Sequence, residues 1–379
     1  MSRAFLIAAR RLAVTPRGGA LAGFEAHELA AGPIRAVLAD VGISAAQVDE
    51  VILGNALYGG GNPARLAALA AGVPEAIPAL TLDTQCCAGL DAILAAVTRV
   101  RAREADLIVA GGVESYSRAP MRIRPPKGPD DAPQPYDRPP FTPWPGQDPD
   151  MIPAAAALAE DLAIRRADQE AFAMASHGKA LSAPPSDEIV PLGGVAQDTF
   201  SRRLTPALCR RLPVLAGDTA HGVTAATVAV EADSAAVVLV ASASIAKHID
   251  GTVLEVVGGA RAGGDPGRPG LALVPAVRRL LDRQAVMVSE LSGVEIMEAF
   301  AVQAMAAMAA LGLNPALVNR GGGALARGHP IGASGAILAV RLWYEMARLR
   351  AGGFGLAAIA AAGGLGSALL LRSSGDRHG

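Results

Sequence analysis

Cys86-Cys87-Ala88-Gly89-Leu90-Asp91-Ala92-Ile93-Leu94-Ala95-Ala96-Val97, in the first half of the chain, has a counterpart in the second half. That counterpart is Gly328-His329-Pro330-Ile331-Gly332-Ala333-Ser334-Gly335-Ala336-Ile337-Leu338-Ala339-Val340-Arg341-Leu342. The string Ala-Ile-Leu-Ala begins at Ala92 and again at Ala336. A short apolar run follows each copy and ends in Ala-Gly-Gly, at Ala110–Gly112 and at Ala362–Gly364. Loop, helix, strand and Gly-Gly turn therefore occur twice in one order, which reads as two similar α/β halves related by duplication.

Working outward, Ala4 to Ala9, Val48 to Leu53, Asp106 to Ala110, Ala235 to Ala241 and Leu356 to Ala361 read as buried strands. Asp91 to Arg103 and Ala333 to Arg350 read as helices between them. Arg122 to Pro149 is too crowded with proline and glycine for a helix or a central strand, and Met151 to Ala180 is helical in pattern. A structureless stretch this long in a compact enzyme is usually functional. The expected organisation is residues 1–119 and 221–250 as the first half, 120–220 as an insertion covering a site, and 251–379 as the second half.

Lys+Arg is 34 and Asp+Glu is 35 in 379 residues, a net charge of −1, so no basic excess exists to displace counterions from nucleic acid. Apolar residues make up 51% and charged residues 18%, enough for a large core. No run reaches the roughly 20 bulky apolar residues of a spanning helix. Three cysteines, two of them adjacent, make neither a disulfide framework nor a four-ligand zinc site. These features predict a protein of the reducing cytoplasm, with no membrane, nucleic-acid or metal partner.

Cys86 and His329 fall at equivalent corners of the two halves, each at the start of a helix. A buried structural thiol is the ordinary reading of Cys86, and composition alone favours it. The glycine-dense run around His329 argues for a contorted backbone at a close approach. If the halves face each other, the imidazole can take the thiol proton, and a helix N-terminus is expected to lower the thiol pKa.

The chain resembles the thiolases, the superfamily of CoA-dependent Claisen enzymes. The resemblance rests on Asn62-Pro63-Ala64-Arg65, Thr84-Gln85-Cys86-Cys87-Ala88-Gly89-Leu90, Ala110-Gly111-Gly112-Val113-Glu114-Ser115-Tyr116-Ser117, Ser176-His177, Met297-Glu298-Ala299-Phe300-Ala301 and Asn319-Arg320-Gly321-Gly322 leading into Gly328-His329-Pro330. It implies a five-layered αβαβα fold of two duplicated halves with a covering loop domain. It also implies an acyltransferase of lipid metabolism with acyl-CoA (acetyl-CoA or a 3-ketoacyl-CoA) as substrate, no permanently bound cofactor, and a homodimer or homotetramer. Cys86 matches the acylated nucleophile and His329 its base. Met297, Glu298, Ala360, Ala362 and Gly364 match positions around the oxyanions, and Met151, Ala229 and Ser334 match substrate or CoA contacts.

Three departures stand out. The family's Cys-x-Gly, whose cysteine is the second acid/base, aligns with Ala360-Ala361-Ala362. The water-holding Asn aligns with Met297. The CoA-loop serine aligns with Ala229. An acyl transfer with altered chemistry or a non-thiolase acceptor, hydrolysis included, is therefore expected, with a slow ordinary thiolase or a non-catalytic acyl-CoA-binding subunit as alternatives. His177 is expected to be structural, and Glu298 to support the site from behind. Cys87 is expected to pack, Cys209 to be a loop residue, and the arginine pairs Arg202-Arg203 and Arg210-Arg211 to lie on a solvated face or meet phosphates.

Overall fold

The computed structural model describes residues 2–349 and 352–373. Met1, Arg350 at the end of the expected second helix, and residues 374–379 of the expected second half lie outside them.

The first half runs β1 (Ala4–Arg11), α1 (Ala26–Asp40), β2 (Glu50–Gly54), α2 (Pro63–Ala70), β3 (Ala79–Leu82), α3 (Ala88–Ala102) and β4 (Leu107–Ser115). A long excursion follows, holding a small hairpin at Arg122–Arg124 and Gln134–Tyr136 and helices α4 (Met151–Asp161), α5 (Arg166–Ser182) and α6 (Pro206–Arg211). The chain then returns to the sheet as β5 (Ala232–Ser242). The second half runs β6 (Leu254–Gly263), α7 (Leu273–Gln284), β7 (Leu291–Ile296), α8 (Ala301–Leu311), α9 (Ile331–Leu349), β8 (Gly353–Ala361) and β9 (Leu365–Ser373).

Strand order proves the repeat. The first half reads β2-β4-β5-β1 and the second reads β7-β8-β9-β6. In each, the first pair is parallel and the next two pairs are antiparallel. The two sheets meet along one short seam, where Phe5 and Leu6 pair with Glu255 and Leu254. Residues on both faces of β4 and β5 are buried, which is why Leu107–Val113 and Ala235–Ala241 are apolar throughout rather than alternating.

Five layers result. α3 and α9 pack against each other in the middle, and Leu90, Ile93 and Val97 share a core there with Ala336 and Val340. α1 and α2 cover the outer face of the first sheet, and α7 and α8 that of the second. The central helices touch backbone to backbone. A Cβ on Gly89 would lie 2.6 Å from the Gly332 oxygen, and one on Gly335 would lie 2.6 Å from the Leu90 nitrogen. This contact brings the starts of the two helices face to face.

The excursion is anchored by buried charges. Arg11 of β1 reaches Glu188 and Asp198, each at 2.7 Å. Arg327 joins Asp198 at 2.9 Å and Arg341 of α9 joins Glu188 at 2.7 Å. Removing one partner of such a set strands a buried charge and typically costs about 3–5 kcal/mol.

Candidate active site

Cys86 sits two residues before α3, in a turn shaped by its neighbours. Gln85 adopts a left-handed backbone conformation with φ +56°, and the N–H groups of Cys87 and Ala88 bond back to Thr84 and Gln85 carbonyls. A non-glycine residue held in this region costs of order 1–2 kcal/mol, which the surroundings must offset. Asp91, in the first turn of α3, does so. It accepts hydrogen bonds from Thr84 Oγ1 at 2.8 Å and from Ser367 Oγ of β9 at 2.6 Å, tying the turn to the second half.

His329 sits two residues before α9. Its N–H donates to the Val230 carbonyl at 2.7 Å, and Gly328 precedes it with φ +118°, where a Cβ would meet Ala232 at 2.8 Å. Arg327 holds the preceding turn by donating to the Gly321 and Gly322 carbonyls. The His329 Nε2 lies 3.2 Å from Cys86 Sγ, and Nδ1 lies 2.6 Å from Ser334 Oγ. Ser334 gives its own proton to the Pro330 carbonyl at 3.1 Å, so it accepts Nδ1–H and leaves Nε2 as the free acceptor facing sulfur. Ser334 is buried and faces His329.

Burial decides the charge state of the pair. It pushes the Cys86 thiol up to about 12, although hydrogen bonding by the backbone N–H groups of Ala362 and of Cys86 itself opposes the shift. It pulls the His329 imidazole down to about 4. The lowered thiol pKa expected from the helix N-terminus is therefore overturned. Desolvation here outweighs two N–H groups, and the resting pair is neutral thiol and neutral imidazole.

Glu114 was visible in the sequence only as part of a longer motif, yet it pins the two halves together here. Its carboxylate accepts from Asn55 Nδ2 at 2.8 Å, Ala56 N at 3.0 Å, Leu57 N at 3.2 Å and Gly332 N of α9 at 2.9 Å. Burial raises it to about 7 against the pull of those N–H groups. A glutamate directly after the apolar run Leu107–Val113, in a strand buried throughout, was the signal that marked it.

Glu298 is buried among Ser176 Oγ at 2.7 Å, Asn319 Nδ2 at 2.7 Å and the Leu325 N–H at 3.4 Å, and so holds the loop leading to His329. A Cβ on Gly323 would strike it at 2.1 Å. Met297 is buried in the central core, its N–H on the Ala358 carbonyl, and it lines a small cavity with Ser334. Ala360, the penultimate residue of β8, pairs with Gly366, and Gly364 turns with φ +77° to accept from Gly264 N at 2.7 Å. Met151 opens α4, and Ala229 N bonds to Ala299 O one residue before the carbonyl that holds His329; neither reaches Cys86 or His329 by a hydrogen bond. His177 is buried, accepts the Arg202 N–H at 3.2 Å, and is held down to about 4 by burial and by Arg202. Cys87 is buried with its thiol on the Ile359 and Leu365 carbonyls. Cys209 is not a loop residue: it is buried in α6 against Ala173 and Leu325, while Arg203, Arg210 and Arg211 are exposed. A cavity of about 780 Å³ opens between α5 and α8 and reaches Glu298, but neither Cys86 nor His329 lines it. Reactive chemistry rather than volume therefore locates the site. Among the described residues, no group of three or more His, Cys, Asp or Glu is placed to hold a metal, and no helix is long and apolar enough to cross a membrane.

Two family models cover nearly the whole chain: Thiolase, N-terminal domain, over residues 4–244, and Thiolase, C-terminal domain, over residues 249–373. The chain belongs to the thiolase family. Consistent with that, it is 39% identical to an acetyl-CoA acetyltransferase of Pseudomonas aeruginosa, across 98% of this chain and 99% of the other. The crystal structure of the Bacillus anthracis acetyl-CoA acetyltransferase matches it with a TM-score of 0.91 at 31% identity, over 98% of this chain and 99% of that one. Human mitochondrial 3-ketoacyl-CoA thiolase, solved in complex with CoA, matches with a TM-score of 0.91 at 28% identity, over 98% of both chains. This thiolase is thus an enzyme of the acyltransferase class with the five-layered fold of its relatives.

Proposed function

We propose that this thiolase takes an acyl group from an acyl-CoA onto Cys86, with His329 as the base. The Cys86 proton passes to Nε2 as sulfur attacks the thioester carbonyl. The oxyanion forms against the N–H groups of Ala362 and Cys86. CoA then leaves as a thiolate and takes the proton from the imidazolium. The observation that supports this most directly is the 3.2 Å approach of Nε2 to Sγ with Nδ1 occupied by Ser334. Because the resting thiol is neutral, proton transfer accompanies attack rather than preceding it.

Intact-protein mass spectrometry after mixing with acetyl-CoA, butyryl-CoA and octanoyl-CoA tests the reading. An acyl adduct mapping to Cys86 is expected, absent in Cys86→Ala and formed about 10²-fold more slowly in His329→Ala. No adduct from any acyl-CoA would overturn it in favour of a binding subunit without catalysis.

A further inference from the structure

We infer that the acyl group on Cys86 is passed to an oxygen or nitrogen nucleophile that gives up a single proton, such as water, a hydroxyl or an amine, and not to a carbon acid. This rests on the acyl-Cys86 reading above and adds the class of acceptor.

Glu114 has four N–H donors on its two oxygens and serves Gly332. Asp83 is turned onto the Gln85 backbone N–H at 2.9 Å. The Cys87 thiol is directed at the Ile359 and Leu365 carbonyls on the far side of its turn. The end of β8 that supplies the Ala362 N–H carries Ala360 and Ala361, whose methyl groups hold no exchangeable proton. Among the described residues, His329 is the side chain hydrogen-bonded to Sγ, and the backbone N–H groups of Ala362 and Cys86 favour charge on the sulfur.

One base and one donor pair suffice for a heteroatom acceptor. As its oxygen or nitrogen bonds to the acyl carbon, the acceptor's proton goes to Nε2. The single oxyanion forms against the same two N–H groups. Collapse breaks the carbon–Sγ bond, and the imidazolium returns its proton to sulfur. A carbon acceptor makes a heavier demand. Its C–H must be removed first, leaving charge on a second carbonyl oxygen while the donor pair is engaged by the acyl carbonyl. The imidazole, held down to about 4, is also a weak base for a C–H.

The test uses the full chain with acetyl-CoA and three acceptors in parallel: water, hydroxylamine, and a second acetyl-CoA. Acetoacetyl-CoA thiolysis by CoA is measured beside them. CoA, acetohydroxamate and acetoacetyl-CoA are quantified by chromatography, with Cys86→Ala subtracting the uncatalysed reaction. The expected result is a burst of one CoA per Cys86, then sustained turnover to acetate or hydroxamate at least tenfold faster than thiolysis or acetoacetyl-CoA formation. A burst followed by faster carbon–carbon chemistry overturns the acceptor inference while leaving the acyl-enzyme intact. A burst with no turnover to either heteroatom also overturns it. No burst at all sinks the acyl-enzyme reading, and the inference with it.

Discussion

Cys86 is the partly exposed thiol of the three, whereas Cys87 and Cys209 are buried. Iodoacetamide should therefore label Cys86 first, and peptide mapping would show it. With its pKa pushed to about 12 and a neutral imidazole beside it, the rate should climb through pH 7–10 without a plateau near neutrality. A plateau near pH 7 would mean a resting thiolate. The residues opposite the sulfur allow a second experiment. Replacing Ala360 with Cys and Ala362 with Gly puts back a group that can carry a proton. Acetoacetyl-CoA thiolysis should rise about tenfold, equivalent to about 1.4 kcal/mol of barrier, with a further gain from adding Met297→Asn. Ordinary thiolase rates in the unmodified protein would contradict this, because they would require a second proton carrier besides His329, the side chain hydrogen-bonded to Sγ.

At the scale of elements, everything at the site depends on how closely α3 approaches α9. Gly89→Ala would press a methyl into the Gly332 carbonyl and toward Ala336. Both contacts are with a packed helix, so the helices must part. A loss of about 1–3 kcal/mol in a denaturant titration is expected, together with weaker Cys86 acylation, since Cys86 and His329 ride on those helices. A variant of unchanged stability and activity would show that the central contact has slack. The buried charges gripping the excursion set a pH limit. Burial alone would raise Glu188, but Arg11 and Arg341 overcome it and hold it down to about 2, and Asp198 is lowered in the same way. A carboxylate with a lowered folded-state pKa contributes stability above its unfolded value, near 4.5 for Glu188, and loses it as pH falls toward the folded value. Between about pH 7 and 4.5 the signs oppose. His177 and His329, lowered from 6.5 to about 4, favour unfolding as acid is added, while Glu114 and Glu295, raised to about 7, favour folding. The melting temperature should thus change little across that window and fall steeply below about pH 4.5. A steep loss already between pH 7 and 5 would mean that the histidines dominate.

For the whole molecule, the sheet ends at β3, an edge strand whose Leu80 and Leu82 are only half-buried. Tyr58, Leu66 and Leu69, which flank it in sequence, are exposed. An open apolar edge of this kind invites pairing with another copy. At least a homodimer is expected at micromolar concentration, and Leu80→Asp should weaken it. A monomer in sedimentation equilibrium would refute the pairing. Because the nucleophile turn follows β3 directly, such pairing would also steady Cys86.

The duplicated α/β plan and the equivalent corners of Cys86 and His329 were legible in the sequence. They rest on local rules, namely an apolar run, a helical period and a glycine turn, and the chain writes each of them twice. Other features became visible only in three dimensions. The neutral state of the pair follows from burial by the whole fold, which no local stretch encodes and which reverses the effect expected of a helix start. The role of Glu114 depends on Gly332, a residue far along the chain, and that of Ser334 on the turn that aims one hydroxyl at Nδ1. The grip of Arg11 on Glu188 joins a strand to the insertion, which the sequence places only as a covering segment. Sequence determines which residues are near helix starts and which runs are buried. Desolvation and charge pairing between distant segments are properties of packing, and they decide what those residues can do.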